Sequence, residues 1–241
     1  MTDEELAAQV RSLRAAGASP KQIARALGVP VGVVAPMVRT IAQQAAATEP
    51  PIVGCWVSAG WSSSVSVEEG RGWPDRPSHD TAVEGLVGLL VALQVDRDRG
   101  PSVCGYLVDT WCLGVKDALG PRTMSRSELR RFVDTFFVPF GASVQAPIEL
   151  ARHLVWGAVD YARRLGFEPA PDFAPASGHL GPLTGPSAIG FGRNGKPYYV
   201  QGPHDDAEAI MATLSASAGL DQFHYLAEIP IRDEPPARPS P

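Results

Sequence analysis

Residues 102–120, SVCGYLVDTWCLGVKDALG, constrain the fold more than any other stretch of the chain. The run is apolar, aromatic and β-branched, as strands are, yet Asp109 sits inside it between Val108 and Thr110. Strands tolerate Asp poorly, so a carboxylate there needs hydrogen-bond donors or a chemical task. Just past the predicted strand come Lys116 and Asp117, which can converge with Asp109 at a sheet edge. Upstream, Val83–Val95 is almost wholly apolar and fits either a buried strand or a helix. Its glycines at 85 and 88 and the polar break at 96–101 favour a strand, paired with 103–112 as a hairpin.

Around that hairpin the pattern predicts an α+β domain with a largely antiparallel sheet and three main helices. Ile52–Ser58 reads as a strand, and Ala59–Asp80 as a long Gly-, Ser- and Pro-rich loop carrying Trp61 and Trp73. Loops of that length are functional or mobile as a rule, and the two tryptophans fit loop anchors better than a pocket mouth. Ser125 and Glu128 make a capping box ahead of Leu129, Phe132, Val133, Phe136 and Phe137 at helical spacing. Pro147 opens the longest helix, Ile148–Leu165, and Gly166 follows it at C′. Asn194-Gly195 predicts a hairpin over 188–200, with Pro197 confining the second strand to an edge. Asp205 and Glu208 read as caps of a helix to about Ser217, and Phe223–Ile229 as the last strand. The tail, residues 232–241, is too proline-rich to pack and is predicted to be disordered.

Composition narrows the class. Hydrophobic residues make up 44% and charged residues 20% of the 241, as in ordinary globular proteins, while 24 Gly and 23 Pro predict many turns. No run approaches the ~18 apolar residues of a membrane span. The start, MTDEELAAQVRSLR, lacks the pattern of a signal peptide, so the expectation is a cytoplasmic protein with no membrane partner. Cys104 and Cys112 lie on one predicted strand, roughly 26 Å apart at about 3.3 Å per residue. They share neither a disulfide nor a metal on that reading, and with Cys55 they read as small buried hydrophobes.

Residues 1–48 look like a unit of their own. Five Lys and Arg stand there against three acids, whereas the remainder has 16 against 23, so a polyanion partner is expected only for this segment. Glu4–Ala16 is an amphipathic helix with Leu6, Val10 and Leu13 on one stripe. Ser19-Pro20-Lys21-Gln22 starts a second helix that Gly28 ends, and Val33, Val34, Met37, Val38 and Ile41 form a third stripe. Over residues 19–39 this resembles a bacterial helix-turn-helix. That family needs a small residue where helices touch, a glycine four later and an apolar residue six beyond it, here Ala24, Gly28 and Val34.

The resemblance implies a three-helix DNA-binding fold in which Lys21, Arg25 and Arg39 would contact nucleic acid. The segment due to enter the groove, PVGVVAP at 30–36, nevertheless has no Arg, Lys, Asn or Gln, the groups that mainly read base edges. Docking onto a protein or self-association therefore stays open beside DNA binding. Pro36 also removes a helical hydrogen bond, costing about 3 kcal/mol unless the helix begins late. Gln43–Pro51 loses its apolar period and reads as a linker. Residues 49–231 are similar to an uncharacterised domain of bacterial, notably actinobacterial, proteins through YLVDTWCLGVKDALG (106–120), YARRLGFEP-PDF (161–173) and GKPYYVQGPHDD (195–206). That family has no established activity, so the resemblance implies no catalytic residue.

Asp109, Lys116 and Asp117 are the candidate catalytic set. Lys116 would lower a nearby carboxyl or hold an anion, and metal-dependent phosphoryl chemistry would add Asp160 or Asp172. The structural alternative is an Asp109 that accepts backbone or Trp N–H bonds, with Lys116–Asp117 a solvated turn. Glu149, His153 and Asp160 share a helix but lack the spacing of a zinc enzyme. In His204-Asp205-Asp206 the acids suit a helix start, while His79-Asp80 and His179 sit in loops. Cys104 or Cys112 as a nucleophile would need a base nearby. G-x-S-x-G, Walker A and strand-linked G-x-G-x-x-G motifs are absent, and GFGRNG at 190–195 falls in the predicted hairpin. No cofactor or metal centre is implied. The expectation is a DNA-binding or protein-docking regulator with a ligand- or partner-binding α+β domain, rather than an enzyme. Its rivals are a metal-dependent enzyme acting on nucleic acid or nucleotide through Asp109, Lys116 and Asp117, and a non-catalytic interaction module.

Overall fold

A computed structural model of the chain describes residues 3–15, 18–48, 50–77, 84–96 and 98–227. The expectations for His79, Asp80, Val83 and the tail fall outside the described residues.

The three N-terminal apolar stripes close on one another. Helices α1 (Asp3–Ala15), α2 (Pro20–Leu27) and α3 (Val31–Thr48) gather Leu6, Val10, Ile23, Ala24, Val34 and Val38 into one buried cluster. Ser19 caps α2 reciprocally: its Oγ accepts the Gln22 N–H at 3.3 Å, and Gln22 Oε1 accepts the Ser19 N–H at 2.8 Å. Gly28 ends α2 at φ 65°, its N–H donating to the Ala24 carbonyl. Helix α3 starts before Pro36 and runs through it to Thr48. The predicted linker at 43–51 is therefore mostly helix, because Gln43–Ala47 are good helix formers and no breaker precedes Pro50.

The second unit is built on strands β1 (Ile52–Ser58), β2 (Ser66–Val67), β3 (Leu86–Leu93), β4 (Ser102–Asp109) and β5 (Gly114–Thr123), followed by helix α4 (Arg126–Phe136). Then come β6 (Ser143–Gln145), α5 (Ile148–Arg164), α6 (Phe173–Ala176), β7 (Ile189–Gly190), β8 (Tyr198–Val200), α7 (Ala207–Ser217) and β9 (His224–Leu226). A five-stranded sheet has the order β5-β4-β3-β1-β6, with every pairing antiparallel. Two small sheets flank it, β2 with β7 antiparallel and β8 with β9 parallel.

Both faces of the large sheet are covered. Leu150, Leu154, Val155 and Ala158 of α5 pack on Val57, Leu89, Val91, Tyr106 and Val108. Leu129 of α4, with Phe137 and Phe140 just beyond it, packs on Leu90, Ala92 and Val103 of the opposite face. Strand β3 reads as an unbroken apolar run because neither of its faces meets water. Trp61 and Trp73 anchor their loop to the α5 side of this core. Among the described residues no helix is long and apolar enough to cross a membrane.

Three local expectations need correction. The predicted strand to Cys112 stops at Asp109, and Lys116 and Asp117 lie inside β5 rather than in a solvated exit turn. The hairpin over 188–200 closes only as a turn. Asn194 (φ 55°) and Gly195 (φ 79°) bend the chain, and a single bridge joins Arg193 to Lys196. Pro197 has no N–H to extend that ladder, and the flanking segments pair with β2 and β9 instead. Helix α7 is capped by Asp206, whose Oδ1 accepts the Ala209 N–H at 3.0 Å, so Asp205 is released for another partner.

Candidate functional site

The turn after β4 organises the region. Asp109 is 6% exposed, and its Oδ1 accepts the N–H groups of Trp111 at 2.8 Å and Cys112 at 3.0 Å. The carboxylate thereby folds the backbone into an Asx-type turn that Gly114, at φ 70°, carries into β5. Thr110, fully buried, donates its hydroxyl to the Gly85 carbonyl at 3.0 Å, and its own carbonyl accepts the Gly192 N–H at 2.9 Å. Segments distant in sequence are thus tied to one turn.

Lys116 owes its direction to a bulge. Across β4 and β5 Leu107 pairs with Asp117 and Val108 with Val115, so Lys116 is the extra residue. Val115 and Ala118, three apart, both face the α5 core. Lys116 and Asp117 consequently share the other face, where simple alternation would have parted them. Lys116 Nζ reaches Asp205 Oδ2 at 2.8 Å, and the same oxygen accepts the Gly202 N–H at 2.8 Å. A Cβ on Gly202 would stand 3.0 Å from that Nζ and 3.1 Å from Asp205 Oδ2, so a larger residue there would press on the ion pair. Asp117 is exposed and lies outside the cavity that Asp109 and Lys116 line.

That cavity, about 200 Å³, is lined by Asp109, Trp111, Lys116, Tyr198, Gln201 and Gly202, among others. A more open cleft of about 640 Å³ runs past Ser63, Ser64, Ser66, Arg193 and Asn194, and Glu84 and Trp111 line both. Trp111 lies against the Cα of Gly85, where a Cβ would come 2.5 Å from its ring. Its Nε1 donates to the Ser64 carbonyl at 3.1 Å, and Tyr198 meets it edge-on with centroids 5.4 Å apart. The Arg193 guanidinium sits 5.0 Å from the Trp111 centroid and 4.8 Å from that of Tyr198, with Glu84 at 3.5 Å.

Burial raises the Asp109 carboxyl above its ordinary value, against the pull of the turn N–H groups and Lys116. Burial also works to raise Asp205, but the bonds from Lys116 and Gly202 with the Lys116 charge outweigh it and hold that carboxyl low. The site thus offers a buried carboxyl of raised pKa beside a fixed cation–carboxylate pair and an aromatic wall.

The other candidates are placed as follows. His153 is buried; its Nδ1 accepts the Ala188 N–H at 2.9 Å, and its Nε2 is 3.8 Å from Glu149 Oε1. Burial first, then Arg71, hold its pKa below the usual value. It lines a separate cavity of about 770 Å³ with Arg71, Glu149, Arg152 and Ser187. Asp160, Asp172 and His204 are exposed, and His179 Nε2 is 2.9 Å from Ser102 Oγ. Among the described residues no group of three or more His, Cys, Asp or Glu could hold a metal ion. Burial pushes the free thiols of Cys55 and Cys104 up to about 12, and raises Cys112 as well, so none is a thiolate at neutral pH. Lys21, Arg25 and Arg39 are exposed on α2 and α3. Sequence reasoning missed Arg193, Tyr198 and the serine row, whose one signal was the Arg inside GFGRNG followed by two tyrosines.

Comparison with protein-family models, with curated proteins and with solved structures finds no match.

Proposed function

We propose that the chain is a two-part regulator. Its N-terminal helices act as a helix-turn-helix that holds DNA or docks onto a protein, and its α+β domain binds a small polar ligand in the cleft around Trp111. The observation that carries this reading is the α2–α3 junction. Gly28 is left-handed between the two helices, with Ala24 and Val34 buried on either side of it. Lys21 and Arg25 stand one turn apart on α2, and with Arg39 they offer three exposed cations to a phosphate backbone. The first turn of α3 instead presents Val31 and Val33, 41% and 44% exposed, which suits weak, sequence-independent DNA contact or docking better than base readout.

Fluorescence anisotropy of the full chain with a short duplex at low salt tests the DNA arm. The expected result is binding in the micromolar range that weakens steeply with salt and is lost in the Lys21→Gln/Arg25→Gln/Arg39→Gln variant. No binding at micromolar protein, with the fold intact, removes the DNA arm and leaves docking. The rival reading as a metal-dependent enzyme has less behind it. Asp117 stands outside the cavity, and Asp109 spends one oxygen on the turn.

A further inference from the structure

The acidic balance of residues 49–241 conceals a concentration of arginine. Arg122 at the end of β5 and Arg126, Arg130 and Arg131 on α4 are all exposed, with only Glu128 and Asp134 as acids in the same stretch. Among the described residues none of the four makes an ion pair within 4.0 Å. Glu128 is committed elsewhere: its Oε2 accepts the Ser125 N–H at 2.7 Å to close the capping box of α4. Arg126 lies in the first turn of that helix, where the dipole favours anions, so helix stability does not account for it.

Geometry adds a second observation. Between Arg122 and Arg131 lies a groove of about 280 Å³ lined also by Thr123, Met124, Phe132 and Thr135, and by Glu128, whose single charge faces the two guanidinium groups and leaves the groove net positive. Phe132 is half-buried, and Phe136 braces it with centroids 6.1 Å apart. Phe136 is held in turn by Phe137 at 4.9 Å and Phe140 at 6.3 Å. A ring fixed in that way forms a platform that loses little freedom when another ring stacks on it. Guanidinium groups flanking a braced aromatic are the elements with which proteins hold unpaired nucleotides, phosphates on the cations and a base on the ring.

We infer that the β5–α4 surface is a binding site for single-stranded nucleic acid, with Arg122 and Arg131 on the phosphates beside the groove, one base over Phe132, and Arg126 and Arg130 adding positive charge along α4. The surface is independent of the three N-terminal helices, so it stands whether or not those helices bind duplex DNA.

Fluorescent decathymidylate, and an abasic phosphodiester of the same length, titrated into the full chain at several salt concentrations test the site. Wild type should bind decathymidylate more tightly than the abasic strand. Arg122→Gln/Arg131→Gln should weaken both and make the salt slope shallower by about 1.4, two phosphate contacts at about 0.7 each. Phe132→Leu keeps the apolar packing but removes the ring face. It should weaken decathymidylate about fivefold or more and leave the abasic strand unchanged, a split that simple loss of folding would not give. The Lys21→Gln/Arg25→Gln/Arg39→Gln variant should bind decathymidylate as wild type does. The inference is overturned if the arginine variant keeps wild-type affinity and slope, or if the N-terminal variant alone abolishes binding. It is equally overturned if polyglutamate competes as well as decathymidylate, which would make the patch a dock for an acidic protein.

Discussion

The carboxyls of Asp109, which lines the cavity, and of Asp205, which pairs with the cavity's Lys116, are shifted in opposite directions. The native Asp109 carboxyl is raised, so the folded state favours its protonated form. Its contribution to stability is full below the unfolded carboxylate pKa and is lost as pH rises through the native value. Asp205 is depressed, so its contribution is present above the unfolded pKa and is lost as pH falls through the native one. Melting temperatures from about pH 3 to pH 8 should therefore separate the two. Asp109→Asn still offers an oxygen to the Trp111 and Cys112 N–H groups and should gain on wild type as pH rises. Asp205→Asn should lose most at neutral pH and approach wild type in acid, and parallel profiles for the two variants would refute the assignment. Asp109→Ala leaves both N–H groups unsatisfied and should cost about 2 kcal/mol in acid, and less as pH rises and the wild-type carboxyl loses its own contribution. The sequence singled out Asp109 because an acid in an apolar run is costly, and its donors are local, two and three residues on. Asp205 was hidden, since the acid next to it, Asp206, caps equally well on paper.

Elements were legible where one rule acted alone and obscure where two competed. The capping boxes at Ser19 and Ser125 formed where expected, because donor and acceptor lie within one turn. The Asn194-Gly195 turn also formed, but its strands were claimed by β2 and β9, partners far away in the chain. Neither the bulge at Lys116 nor its shared face with Asp117 has a local signature, because a bulge is defined by the partner strand. Helix α3 is the clearest competition, since Pro36 lies within it without ending it. The missing N–H leaves a helical hydrogen bond unmade, and Pro36 is exposed, so it contributes little packing in return. Pro36→Ala should stabilise the N-terminal helices by up to about 3 kcal/mol, read as a higher far-UV circular dichroism midpoint. An unchanged or lower midpoint would mean that the packing of Val34 and Val38 relies on the proline where it stands.

At the scale of the whole chain, the division into an N-terminal helical unit and an α+β unit rests on where apolar residues meet. The N-terminal cluster draws only on residues before the first strand, and the clusters around the sheet draw on none of them. Net charge was a poorer guide at this scale, because a sum over residues 49–241 averages the β5–α4 arginines into an acidic total. The apolar division carries its own test, since all five tryptophans, at 56, 61, 73, 111 and 156, belong to the α+β unit. Tryptophan fluorescence therefore reports that unit alone, while far-UV circular dichroism reports both. Val34 is fully buried in the N-terminal cluster, and Val34→Ala should cost that cluster about 2 kcal/mol. The expected outcome is an earlier loss of helical ellipticity with an unmoved fluorescence midpoint. A fluorescence midpoint that falls in step would show the units melting as one, and ligand binding around Trp111 could then reach the helix-turn-helix through shared stability. If the midpoints part, communication between them is left to the two places where the units adjoin: α3, which leads into β1, and the cavity that Arg14 and Ser19 line together with Arg71 and His153.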